Sequence, residues 1–260
     1  MERWRLIVES PAPGAWNMAA DAALWESAQS PGAAPALRLY QWDRPTVSLG
    51  YAQDAARGLN VDYLAREEIP LVRRPTGGRA VLHDREVTYS VAIPASSPRF
   101  GSLTQVYAFT RMALAAALAS LGARVDDTAE HGAGRSAVCF ASRARHEIAV
   151  NGRKVVGSAQ RRTRGALLQH GSIILDTDRS RLLDCFIWDS GAKRAQAAHV
   201  LGAVNEALPR PVSPDQMAAA LISAFERLHG IVFEVSALSA RERERAEALA
   251  PGFQITGALV

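Results

Sequence analysis

Apolar positions recur along this chain with two periods, and the changes from one to the other mark out its elements. Trp4 to Glu9 reads as a strand. Beyond Pro13-Gly14, Met18, Ala22 and Trp25 return at helical spacing and predict a helix to about Gln29. Leu37 to Trp42 and Thr46 to Leu49 read as strands divided by Asp43-Arg44-Pro45, and Val61 to Glu67 as a short helix. Strands follow at Leu71 to Arg73, Ala80 to Leu82 and Val87 to Ile93. The clearest helix is Thr104 to Leu121, where Val106, Phe109, Leu114, Ala117, Leu118 and Leu121 occupy overlapping apolar turns.

The second half begins in a Gly- and Arg-rich loop, His131 to Ser136, ahead of the apolar run Ala137-Val138-Cys139-Phe140. His146 to Val150 and Lys154 to Gln160 flank Asn151-Gly152, a dipeptide suited to a two-residue hairpin turn. Leu167 to Leu175 supplies another strand. Pro211 to Gly230 holds a helix capped by Ser213, with Met217, Leu221, Ala224, Phe225 and Leu228 on its apolar side. Ile231 to Val235 and a charged helix from about Ser239 to Ala250 complete the chain. Runs of strands with segregated helices predict an α+β fold with a mixed, largely antiparallel sheet, not alternating βαβ units. We expect a main domain over residues 1–212 and a small helix-strand-helix extension over residues 213–260 packed on it.

Composition narrows the class. A hydrophobic share of 48% against 22% charged residues describes a folded globule. No apolar run spans a bilayer and the first residues hold no apolar signal core, so a cytoplasmic protein is expected. Two cysteines cannot build a disulfide framework. Arg143, Arg145, Arg153, Lys154, Arg161, Arg162 and Arg164 face only Glu147 in the same stretch. Such a patch is either a solvated face or a docking surface for an acidic carrier protein or a phosphate-bearing ligand. It holds no aromatic for base stacking and no nucleic-acid motif, so no nucleic-acid partner is expected.

The chain holds 28 arginines and two lysines, Lys154 and Lys193. Lys154 follows Cys139 by 15 residues. A cation beside a thiol raises its thiolate fraction, so the two could serve acyl transfer; equally, they could be a buried small hydrophobe and a surface amine. Cys185, inside Leu182-Leu183-Asp184-Cys185-Phe186, reads as a buried, inert thiol. A diglycine joins two strands in Arg73-Arg74-Pro75-Thr76-Gly77-Gly78-Arg79-Ala80. It is either a tight turn or a concavity where backbone amides approach a ligand. His83-Asp84 suggests a hydrogen-bonded pair, and the absence of His or Cys at ligand spacing predicts no metal. Gly157-Ser158-Ala159 is small throughout, as a strand lying against a ligand chain requires. His170 is either a satisfied core residue or a group that orients or protonates a reacting atom.

Arg73 to Ser90, Asn151 to Leu175, Asn17-Met18-Ala19 and Trp42 to Gly50 together resemble the catalytic domain of the biotin/lipoate ligase and transferase superfamily. The resemblance covers nearly the whole chain and implies a mixed sheet with helices on one side. The ligases follow RRxSGGGAVxHDxxN; here Arg79 stands at the third glycine and Glu86-Val87-Thr88-Tyr89-Ser90 follows the His-Asp. These departures favour octanoyltransferases. Val138-Cys139-Phe140, the Lys154 spacing and Gly157-Ser158-Ala159-Gln160 are similar to the cysteine-dependent octanoyltransferases acting on the glycine cleavage H protein.

The resemblance implies catalysis by Cys139 and Lys154, with Arg73, Arg74, Thr76, Gly77, Gly78, Arg79, His83, Gly157, Ser158, Ala159, His170 and Gly171 around the acyl group. It implies octanoyl-acyl carrier protein as donor, a lipoyl domain or the glycine cleavage H protein as acceptor, no cofactor and a monomer. The nearest alternative is a lipoate-protein ligase using ATP and magnesium; another is a non-catalytic protein that binds lipoyl domains.

Overall fold

Two sheets meet in this fold, and a cleft opens at their junction. The computed structural model describes residues 2–54, 57–97, 99–100, 102–126 and 148–256 of the 260. In chain order its elements are β1 (Glu2–Val8), α1 (Gly14–Ser27), β2 (Ala36–Tyr40), β3 (Thr46–Leu49), α2 (Val61–Arg66) and β4 (Leu71–Arg73). Then come β5 (Val81–His83), β6 (Glu86–Pro94), α3 (Leu103–Ser120), β7 (Ile148–Val150), β8 (Arg153–Arg162) and β9 (Ala166–Ile174). The chain closes with α4 (Arg179–Asp184), α5 (Gly191–Val200), α6 (Pro214–His229), β10 (Ile231–Val235) and α7 (Ala240–Phe253).

The larger sheet runs β10-β1-β2-β6-β9-β8-β7 and the smaller β4-β3-β5. In the larger, β10–β1 and β1–β2 are parallel and the remaining pairs antiparallel, so the expected mixed, largely antiparallel sheet is present. All nine residues of β6 and all nine of β9 are buried. A central strand buried on both faces needs cover on both. Helices accordingly lie on both sides of the sheet, not on one as expected: α3 and α6 close the core around Trp4, Leu37, Tyr89 and Val91, while α1 and α7 cover Ile7, Ala92, Ala166 and Leu168 opposite. Residues 213–256 are woven in through β10, which pairs with β1, and through α7, which packs on α1.

Local chemistry sets the boundaries. Ser102, Ser213 and Ser239 each close a capping box at the starts of α3, α6 and α7, and Gly230 ends α6 in the left-handed region at φ +61°. Asn151 and Gly152 both take positive φ, +51° and +77°, as the predicted hairpin between β7 and β8 requires. The strand expected over 80–82 forms one residue later, as β5. Helices α4 and α5 were not expected: the first spans only six residues, and the second mixes alanines with polar residues and buries only Ala197, so neither shows a clear apolar period. Among the described residues no helix is long and apolar enough to cross a membrane.

Candidate functional site

The cleft at the junction of the two sheets contains about 470 Å³ of atom-free space, part of it open to solvent. Its apolar lining comes from Met18 on α1, Tyr40 at the end of β2, Trp42, and Val81 on β5; Gly157, Ala159 and Gly171 add small surfaces from β8 and β9. Ser48, Arg74, His83, Thr88, Ser158, His170 and Ser172 supply polar atoms. The combination is an apolar slot with a few convergent polar groups, the usual form of a small-molecule site.

Small residues are required here by contact. A Cβ on Gly171 would lie 2.6 Å from the Gly157 carbonyl oxygen and 2.7 Å from both Ser158 Oγ and a Tyr89 ring carbon. Ser158 Oγ in turn lies 2.7 Å from the Tyr89 hydroxyl, which accepts from Gln169 at 2.8 Å. The diglycine loop is drawn against β3 by Arg74, whose guanidinium donates to the carbonyls of Ser48, Gly77 and Arg79 and to Ser48 Oγ. Gly78 turns the loop at φ +96°.

A buried polar network anchors one wall. Both carboxylate oxygens of Asp21, on α1, are doubly occupied: Oδ1 accepts from Arg38 at 2.8 Å and Ser90 at 2.7 Å, Oδ2 from the Tyr40 hydroxyl at 2.8 Å and His170 Nδ1 at 3.0 Å. Burial alone would raise the Asp21 pKa, but Arg38 and these donors outweigh it and hold the carboxyl below its ordinary value. Burial lowers the His170 pKa despite Asp21, so the imidazole is neutral. With Nδ1–H on Asp21, its Nε2 accepts from the Thr76 hydroxyl at 2.6 Å, tying the diglycine loop to the large sheet. His170 thus lines the cleft as a fully partnered residue.

Of the residues expected around the acyl group, the structure brings Arg74, Gly78, His83, Gly157, Ser158, Ala159, His170 and Gly171 onto the cleft wall. Thr76 stands behind His170. Arg73 points elsewhere, donating to the carbonyls of Gly50, Tyr51 and Gln53. Gly77 and Arg79 line a neighbouring hollow with Ala52, Gln53, Asp54 and Arg57, and Gly78 is common to both cavities. His83 does not pair with Asp84: its Nδ1 meets Glu86 at 2.8 Å, and Asp84 instead accepts from Arg181 at 3.3 Å. β5 ends at His83 and Asp84 stands in the turn that follows, so the ring finds its carboxylate across that turn, at the start of β6.

Cys139 lies outside the described residues, as do Arg143, Arg145, Glu147 and the loop over 131–136. Lys154 is on β8 and has no solvent exposure, which removes both the surface-amine reading and its place in a solvated basic patch. A register shift between β7 and β8 sends Val155 and Val156 successively into the main core. Lys154 precedes them on the strand, roughly 10 Å before the cleft-lining Gly157, and is not itself among the residues that line the cleft. Lys193 is a surface residue paired with Asp189. Cys185 is buried, and burial pushes its thiol up to about 12, as an inert core thiol requires. Within the expected basic patch Arg153 pairs with Glu206, and Arg161 lies over the rings of Tyr51 and Trp25 at 4.1 and 5.0 Å.

Sequence reasoning did not select Met18, Tyr40, Trp42, Ser48, Val81, Thr88 or Ser172 as site residues. The available signal was Asp21 and Asn17 on the buried side of an otherwise apolar helix, and Arg38 between two strand leucines. Each marks an internal polar network, without saying which cleft it borders.

Comparison with known proteins gives this cleft its family. Residues 13–226 match the lipoyl protein ligase A/B catalytic domain. The chain is 40% identical over 262 residues to octanoyltransferase LipM of Kyrpidia tusciae, covering 96% of this chain and 95% of that protein. Against octanoyltransferase LipM of Bacillus subtilis it is 36% identical over 264 residues, covering 96% and 94%. A crystal structure of lipoate-protein ligase A bound with ATP superimposes with a TM-score of 0.80 at 26% identity, covering 96% of this chain and 95% of that one. A bipartite lipoate protein ligase of Thermoplasma acidophilum, solved as part of a lipoylation system with its E2 lipoyl domain, has the same fold at TM-score 0.80 and 24% identity, covering 96% and 93%. The chain belongs to the lipoyl protein ligase A/B catalytic-domain family, on its octanoyltransferase branch, and is an acyltransferase.

Proposed function

We propose that this enzyme moves an octanoyl group from octanoyl-acyl carrier protein to a lysine of a lipoyl domain, with the glycine cleavage H protein as acceptor, through a thioester on Cys139. The observation that carries the reading is the near-full-length identity to octanoyltransferases, joined to an apolar cleft walled by small residues. Burying the octanoyl tail contributes up to about 0.8 kcal/mol per methylene, which favours such a slot.

In the first step the Cys139 thiolate attacks the donor thioester carbon, the bond to the carrier sulfur breaks, and the carrier leaves as a thiolate that takes up a proton from water. In the second, the uncharged lysine amine of the acceptor attacks the acyl-enzyme, releases Cys139 and loses its proton. Lys154 is the cation for this work: an ammonium stabilises the thiolate before attack and the acyl oxygen as negative charge gathers on it. A lysine serves where a proton must be exchanged, since arginine stays charged above pH ~12. The donor already holds its acyl group as a thioester, so the reaction needs neither ATP nor magnesium.

The alternative, a ligase forming an acyl-adenylate, draws on the likeness to the ATP-bound lipoate-protein ligase A. Purified protein mixed with octanoyl-acyl carrier protein and an H protein separates the two: octanoylated H protein is expected to accumulate without ATP. Transfer only from free octanoate, with ATP consumed and AMP released, would contradict the proposal.

A further inference from the structure

A second nucleophile system is built into the same cleft, and the transfer chemistry above makes no use of it. Ser48 Oγ on β3 lies 2.8 Å from His83 Nε2 on β5, and His83 Nδ1 lies 2.8 Å from Glu86 Oε1 at the start of β6. The His83 ring is stacked under Trp42 with centroids 3.9 Å apart and planes 9° from parallel. Trp42 Nε1 donates to Thr88 Oγ1 at 2.9 Å, and Thr88 donates to the same Glu86 oxygen at 2.6 Å. The imidazole is thereby fixed in plane and in tilt. Ser48 and His83 both form part of the cleft wall, while Glu86 is buried behind them.

The direction of the hydrogen bonds follows from the donors available. Burial would raise the Glu86 pKa, but His83, Thr88 and Ser172 outweigh it and keep the group a carboxylate, able only to accept. His83 Nδ1 therefore donates to Glu86, with Ser172 Oγ also 3.1 Å from it, and its Nε2 is left facing Ser48 Oγ. Arg74 Nη1 donates to Ser48 Oγ at 3.1 Å from one side, while His83 Nε2 stands 2.8 Å away on the other, in position to take the hydroxyl proton. Carboxylate, imidazole and hydroxyl stand in the order and polarity that activate a serine, which is recognised by geometry and not by chain order. The Arg74 guanidinium adds positive charge beside the oxygen that would become an alkoxide. Ser48 is shielded from bulk water, and charge interactions are stronger there than in solvent.

We propose that Ser48, His83 and Glu86 form an acyl-accepting triad that hydrolyses medium-chain acyl thioesters and activated esters in this cleft. The inference rests on the cleft's being the acyl site. Ser48 Oγ passes its proton to His83 Nε2 and bonds to the acyl carbon; the carbon–sulfur bond breaks and the thiolate leaves with that proton. Water, giving a proton to His83, then attacks the Ser48 ester, and the serine recovers a proton as the free fatty acid departs. The consequence is a hydrolytic loss of donor that proceeds when no acceptor lysine is present.

The test uses the full-length Cys139→Ala protein, which removes the thiol of the transfer route. It is incubated with p-nitrophenyl octanoate, with octanoyl-coenzyme A and, separately, with an alkyl fluorophosphonate, followed by intact mass and peptide mapping. The expected result is octanoate release above the uncatalysed rate and a phosphonyl adduct on the peptide carrying Ser48. Release should fall at least a hundredfold in the added Ser48→Ala variant and at least tenfold in Glu86→Gln, which preserves shape. No release and no Ser48 adduct, or an adduct elsewhere, would overturn the proposal; the adduct decides it if Ser48→Ala fails to fold. Octanoyl transfer by unmodified protein is scored in parallel, so a protein that transfers but does not hydrolyse overturns this inference alone.

Discussion

Lys154 and Asp21 show how a single side chain acquires its role from what surrounds it. Lys154 has no exposed surface, and at such a position a planar guanidinium on a different stem neither fits the space of an ammonium nor gives up a proton. Lys154→Arg should therefore lose at least tenfold in octanoyl transfer, measured as octanoylated H protein formed per minute, while the chain stays folded by circular dichroism; near-unchanged turnover would remove Lys154 from the chemistry. Asp21 holds four donors, and Asp21→Asn leaves the guanidinium of Arg38 buried without its carboxylate partner. That change should cost roughly 3–5 kcal/mol in urea denaturation, the range for breaking a buried ion pair from one side. Legibility at this scale was uneven. Lys154 could be singled out because lysine is scarce, and Cys185 because its neighbours are apolar. The Asp21–Arg38 pair joins residues 17 apart on a helix and a strand, and no local pattern encodes that meeting.

Among the elements, strands and capped helices were readable and the irregularities were not. Ser213 and Gly230 mark the ends of α6, and Asn151-Gly152 marks its hairpin, because cap and turn residues satisfy local backbone requirements. The register shift that leaves both Val155 and Val156 in the core, next to a buried Lys154, depends on how β7 meets β8, which alternation within one strand does not reveal. Tertiary ties between elements also carry a pH signature. Glu242, on α7, accepts from Arg5 of β1 through both oxygens, at 2.6 and 2.8 Å. Burial works to raise its pKa, but the Arg5 hydrogen bonds and the Ser239 backbone amide bring it from an ordinary 4.5 to about 2. The unfolded chain thus takes up this proton first on acidification. The contribution of Glu242 to stability is complete above pH 4.5 and declines as the pH falls from there towards 2. Thermal melts across that window should show a smaller loss of Tm in Glu242→Gln than in the parent; equal losses would show that the tie does not stabilise α7.

For the molecule as a whole, function follows from where the two sheets meet. The small sheet brings Ser48 and His83, the large sheet brings Gly157, His170 and Gly171, and α1 closes the end with Met18. The α+β class was legible because strand-rich runs and separate helices are distinct patterns. Cover on both faces was not, since it depends on the central position of β6 and β9 in the sheet. On the proposed route an octanoyl group passes through Cys139 on its way to a lipoyl-domain lysine. The direct measurement is peptide mapping of the protein after brief mixing with octanoyl-acyl carrier protein, followed by a chase with H protein. We predict one octanoyl group on Cys139 that disappears as octanoylated H protein forms, and no such transfer by Cys139→Ser. Transfer by Cys139→Ser at a rate near that of the parent, or a transferable octanoyl group on any other residue, would contradict it.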